Sequence, residues 1–180
     1  MTYRPFAPVM VGVTLILVSA DVTGDDSLAV ASRCCPPDHA KCCAETIEKR
    51  LPLNCSLSFE DLLAASNCIQ QAVNGDESLK IIRIEDVECC QVFSDDFNDE
   101  SEVCLSTCVR VLRSPSIGSI KKLELIRTCR PNNKIHACFR KCQAFRRTRK
   151  DPNRKFPYLA VCNLADRLKS GELYIGPELP

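Results

Sequence analysis

Fourteen cysteines, two histidines and one dense run of basic side chains are the residues of this 180-residue chain whose types and spacing carry chemistry. The cysteines are Cys34, Cys35, Cys42, Cys43, Cys55, Cys68, Cys89, Cys90, Cys104, Cys108, Cys129, Cys138, Cys142 and Cys162. A thiol set of this size has three uses: metal ligation, nucleophilic catalysis, or disulfide cross-linking. Zinc sites favour C-x2-C knuckles or His partners. Adjacent Cys-Cys pairs and C-x3-C spacing, with only His39 and His136 to help, argue against a metal. A nucleophilic Cys needs a free thiol beside a His. An even count in a secreted chain implies full pairing, and therefore seven bridges with no thiol left over. Fourteen cysteines allow about 135,000 pairings, so spacing alone does not give the map.

The compartment is set by the N-terminus. Arg4, the apolar stretch Pro8 to Val18, and Val18-Ser19-Ala20 have the three parts of a secretory signal peptide over residues 1–20. Cleavage is expected after Ala20, with Gly24 as the second position. No later apolar run reaches the ~18 residues of a membrane span, so no stable membrane insertion is expected after cleavage. Acidic and basic residues nearly balance, 23 against 24, which excludes a globally basic nucleic-acid binder. They are nevertheless partitioned. Residues 21–103 hold 6 basic and 18 acidic side chains, and residues 104–180 hold 17 basic and 5 acidic. Halves of opposite sign attract one another within a fold, or present opposite faces to partners.

The basic run comprises Arg140, Lys141, Arg146, Arg147, Arg149, Lys150, Arg154 and Lys155, with Lys134 just upstream. Phe145-Arg146-Arg147-Thr148-Arg149-Lys150 approximates a heparin-type pattern, and outside the cell the matching polyanion is a sulfated glycan. The same charges would equally serve to neutralise the acidic half of the chain, or mark dibasic processing sites. Asn54-Cys55-Ser56 is a glycosylation sequon whose central Cys makes it a poorer acceptor. Asp95, Asp96, Asn98, Asp99, Glu100 and Glu102 suggest calcium, but an EF-hand counted from Asp96 would put Ser101 at its glycine position and Thr107 at its glutamate position. A solvated acidic loop is the expectation.

Apolar spacing is helical wherever it is clear. Ser58 caps a helix from Phe59, with Phe59, Leu62, Leu63, Ile69 and Val73 on one stripe and Asn74-Gly75 as its stop. Further helices are expected from Asp99 to Ser114-Pro115, from Ser119, from Asn133, and from Tyr158 to near Gly171, with a short one around residues 42–49. Residues 80–87 are compatible with extended chain. Cys104/Cys108 and Cys138/Cys142 are i, i+4 pairs sharing a helix face. Two such helices packed antiparallel would allow bridges 104–142 and 108–138.

The order of the cysteines resembles the DB module, a cysteine-rich extracellular module. The resemblance runs from Cys42-Cys43 through Leu51-Pro52-Leu53-Asn54-Cys55 and Cys68 to Cys89-Cys90. Cys104-Leu105-Ser106-Thr107-Cys108, Cys129 and Ile135-His136-Ala137-Cys138-Phe139 complete it, over residues 42–140. It implies a secreted, non-catalytic module with no catalytic residues to transfer. Cys34, Cys35, Cys142 and Cys162 fall outside the pattern and would brace terminal extensions. A second, partial resemblance is to the C-C-x-x-H-D-x-C helix of secreted phospholipases A2. In Cys34-Cys35-Pro36-Pro37-Asp38-His39-Ala40-Lys41-Cys42 the acid precedes the His, the spacing is one residue longer, and Pro36-Pro37 disrupts a helix.

The expected protein is therefore mainly α, built of several short helices cross-linked by disulfides with little or no sheet. A signal peptide (1–20) and an extension (21–33) precede one disulfide-rich domain (34–170) and a tail (171–180). The expected function is extracellular and non-enzymatic, without cofactor or metal, through a protein partner. A sulfated-glycan or matrix binder using residues 140–155 is the alternative, and a phospholipase A2-like hydrolase the remote one.

Overall fold

The structure, a computed structural model, describes residues 24–94, 102–131, 133, 135–151 and 154–162. The expected signal peptide, Lys134, the calcium-type candidates Asp95, Asp96, Asn98, Asp99 and Glu100, and the tail from 171 lie outside the described residues. Those described are mainly helical, and no strand occurs among them.

Three helices make an N-terminal lobe. Helix α1 (Gly24–Cys34) occupies most of the segment expected as an extension, and it buries Ser27 and Ala31. After a 3-10 turn at Pro37–His39 comes α2 (Ala40–Glu48), which turns Cys43, Thr46 and Ile47 inward. Helix α3 (Phe59–Asn74) has the predicted bounds. The Ser58 hydroxyl accepts from Asp61 N at 3.1 Å and donates to the Asp61 carboxylate at 2.7 Å, so an otherwise orphaned backbone donor is satisfied. Gly75, at φ 80°, ends α3 in the left-handed region that glycine tolerates best. Leu53, Ala65 and Ile69 complete this core. Bridges Cys34–Cys68, Cys35–Cys43 and Cys42–Cys55 lie wholly within it.

The C-terminal lobe holds a one-turn α4 (Ser78–Ile81), a long 3-10 segment (Ile84–Phe93), α5 (Val103–Leu112), α6 (Ser119–Arg127), α7 (His136–Thr148) and a one-turn α8 (Tyr158–Val161). The segment that was compatible with extended chain is extended only at Ile82 and Arg83. Helix α5 begins four residues after the expected Asp99. Asn133 caps the start of α7, its Oδ1 accepting from Ile135 N and His136 N. Phe93 and Phe139 lie at the centre of the core, with ring centroids 6.1 Å apart.

The four remaining bridges differ from the expected 104–142 and 108–138 pairs. Cys104 joins Cys129, Cys108 joins Cys90, Cys142 joins Cys89, and Cys138 joins Cys162. Helices α5 and α7 are not linked directly because the 3-10 segment packs against both of them. Its adjacent Cys89 and Cys90 bond outward to α7 and α5 respectively. All fourteen cysteines are paired, and no bridge crosses between the lobes.

The lobes meet through hydrogen bonds and packing. Leu53 N donates to Arg113 O at 2.7 Å, Asn74 Nδ2 to Pro115 O at 3.0 Å, and Asn67 Nδ2 to Glu85 at 2.8 Å. At the centre, Gln70 Nε2 donates to the carbonyls of Ser78 and Ile82, while its Oε1 accepts from Lys122.

Candidate functional site

Two grooves flank the ion pair of Arg146 on α7 with Glu88 on the 3-10 segment. The first has a volume of about 590 Å³ and runs between α3 and the 3-10 segment. Its apolar wall is Leu62, Leu63, Ile84 and Val87, and Arg113 also lines it. Phe59 stands over it with 72% of its surface exposed. The helical stripe predicted Phe59 inward, but it sits on the first turn of α3, beyond the point where that helix meets the core. Nothing in the sequence distinguishes it from Leu62.

The second groove, of about 530 Å³, lies on the other side of the same ion pair. Cations Arg146, Arg149 and Lys155 border it, and Tyr158 and Gln91 form its walls. The Tyr158 hydroxyl reaches Glu88 O at 3.3 Å. Burial lowers the Arg146 pKa from its ordinary value, and the neighbouring Arg149 charge lowers it further, against the opposing pull of Asp86.

The eight basic residues expected as one polyanion site are thereby divided. Arg147 is folded back onto the protein surface, donating to the carbonyls of Lys80 and Ile81 and to the buried Asp86 carboxylate at 3.3 Å. Arg146 neutralises Glu88. In these two residues the basic half does compensate the acidic half. Arg140 donates to Gln143 at 2.7 Å and Lys141 to Val161 O at 3.0 Å, both away from the second groove's lining. Arg149 bonds Arg154 O at 3.0 Å, and the Arg154 guanidinium lies 5.7 Å over the Phe145 ring. Lys150, Arg154 and Lys155 are exposed.

The remaining candidates are scattered. Asp38 and His39 lie in the 3-10 turn ahead of α2, which is not the helix that a phospholipase histidine requires. His136 packs against Phe139 with centroids 6.4 Å apart, and its pKa is lowered by burial and then by Arg140 and Arg127. Among the described residues, no three His, Cys, Asp or Glu side chains gather to hold a metal. Asn54 is exposed on the α2–α3 loop, its Oδ1 3.4 Å from Arg113 Nη2. No helix of the described residues is long and apolar enough to cross a membrane.

A family model described as Caenorhabditis elegans Her-1 matches residues 24–166. The chain belongs to the Her-1 family. Protein her-1 of Caenorhabditis elegans is 31% identical over 120 residues, 65% of this chain and 69% of that protein. The crystal structure of C. elegans HER-1 superposes with a TM-score of 0.61 at 28% identity, covering 69% of this chain and 90% of the other.

Her-1 membership overturns the DB-module resemblance. The matched span takes in Cys34, Cys35, Cys142 and Cys162, the four cysteines outside the DB pattern. Each of them bonds a cysteine inside it: Cys68, Cys43, Cys89 and Cys138. The 42–140 pattern is therefore not a closed covalent unit. The Her-1 span is, because it contains all seven bridges.

Proposed function

We propose that this chain is a secreted, non-enzymatic extracellular protein that acts by binding a protein partner. The observation that carries the reading is the first groove, an apolar wall overhung by the exposed Phe59 on a scaffold fixed by seven bridges. Exposed aromatics over apolar pockets are the anchors around which protein interfaces concentrate binding energy. Secretion is supported by the signal-like residues 1–20, by the disulfide count, and by membership of the Her-1 family. A hydrolase gains no support, since His39 has neither the helix nor the following acid that its chemistry would need.

The test has two parts. Protein recovered from the medium of eukaryotic cells should have the intact mass of a chain lacking its first ~20 residues, about 14 Da below the all-thiol value and unreactive to alkylation. A photo-crosslinking amino acid at Leu62 or Leu63 should then capture a discrete extracellular protein, and Phe59→Ser should abolish the capture. Retention of the protein inside the cell would overturn the compartment, and capture unaffected by Phe59→Ser would overturn the groove.

A further inference from the structure

We infer that the second groove binds a sulfated glycan chain, with Arg149 and Lys155 as its sulfate contacts and the Tyr158 ring as the surface on which a sugar packs. This rests on the extracellular reading, since sulfated glycans are ligands of that compartment. The groove is distinct from the apolar one and separated from it by the Glu88–Arg146 pair.

Three observations support the assignment. Three cations border one concavity, and among the described residues its only acid, Glu88, is already held by Arg146. Arg149 and Lys155 have no carboxylate within ion-pair reach among the described residues. Arg149 spends one N–H on the Arg154 carbonyl but meets no acid, whereas Arg147, two residues before it, is held by Asp86 and two carbonyls. The second observation is aromatic. Tyr158 and Phe156 meet in a T-shaped contact with centroids 5.0 Å apart, and Phe156 packs on Phe145 at 5.5 Å. The half-buried Tyr158 ring is thus braced by a neighbouring aromatic where it lines the groove, and an amphipathic ring suits the C–H side of a pyranose. The third is continuity. Beyond the groove the exposed Lys150 and Arg154 add two cations against one exposed acid, Asp151, which leaves a net positive extension for a linear polyanion longer than one residue. An arginine fork binds a sulfate oxygen pair in the geometry it uses for phosphate.

The test uses the purified, disulfide-intact chain and a size-defined heparin oligosaccharide. Arg149→Ser with Lys155→Ser should weaken affinity at physiological salt at least tenfold. The log-affinity against log-salt slope should fall by roughly 2, one for each lost cation contact. The control pair Arg140→Ser with Lys141→Ser, equal in charge but outside the groove, should weaken it less than threefold. Desulfated oligosaccharide should not bind. Seven intact bridges and unchanged helical circular dichroism certify the variants. Lys155→Glu alone, on an exposed side chain, repeats the test if the double variant misfolds. The inference is overturned by an undetectable wild-type affinity, by equal losses in the two double variants, or by a tyrosine-sulfated peptide binding in preference to the oligosaccharide. Recovery of the protein from medium is scored separately, so failure of the glycan site and failure of secretion are distinguishable.

Discussion

Lys122 Nζ donates to Gln70 Oε1 across 2.7 Å, and the two side chains are 0% and 2% exposed. Gln70 belongs to the N-terminal lobe and Lys122 to the other, so a buried polar contact stands where a covalent link is absent. Burial pushes the Lys122 pKa down to about 7, against the pull of Asp86. Between that value and the ordinary 10.5 the unfolded chain binds more protons than the folded one. Stability therefore rises as pH is raised through this window, and this group adds no further change below it. Denaturant unfolding between pH 7 and 9.5 should show that rise. Lys122→Met should flatten the curve.

His136 acts on the acid side. Its pKa is lowered by burial and by two arginines, so the neutral form is the one the fold accepts. Its contribution is complete above its ordinary 6.5 and is lost as pH falls below it. The midpoint of urea unfolding should fall from pH 7 to pH 5 by more in the wild type than in His136→Phe.

Arg147 and Lys150 are both members of the basic run and should behave oppositely. Arg147→Ala leaves the buried Asp86 with only Gln143 at 2.7 Å and Arg83 N at 3.1 Å, and should cost about 1–3 kcal/mol. Lys150→Ala should stay within about 0.5 kcal/mol. Equal losses in denaturant melts would refute the division of the cluster into charges that hold a buried acid and charges that do not.

Proteolysis offers a test of the two-lobe covalent plan. Gly75, Asp76 and Glu77 are exposed between α3 and α4. Cleavage after Asp76 or Glu77 should give two fragments that co-migrate natively and separate in denaturant without reductant. Fragments that separate only after reduction would contradict the seven-bridge map.

Phe59→Ser should leave stability within about 0.5 kcal/mol, because the ring is mostly in solvent. A loss of several kcal/mol in a thermal melt would mean that the ring belongs to the core instead of to an interface.

The helices were legible where a local rule and the tertiary fold agreed. Ser58 with Asp61 and Asn74-Gly75 mark both ends of α3, and the α7 stripe of Cys138, Phe139 and Cys142 is inward as its period predicts. Pairing was illegible because it depends on which helices become neighbours: Cys104 and Cys142 share a lobe without sharing a partner. The grooves were hidden for a related reason. Arg146 and Arg149 read alike in sequence, and only the position of Glu88 on another element separates a neutralised charge from an available one. Lys122 carried no sequence signal at all, since its burial comes from the lobe contact and not from its own helix.

The neighbouring Cys89 and Cys90 have a consequence for how the molecule is made. Consecutive residues form one junction from which covalent bonds leave for α7 and α5. Exchanging the two partners would preserve the number of bridges, the mass and the absence of thiols, yet would pull each helix towards the other's place. Correct oxidation is thus a choice between near-identical isomers. The native isomer is the one that lets α7 and α5 each pack on its own side of the 3-10 segment, so the Phe93–Phe139 core selects between them once thiol–disulfide exchange can reach both.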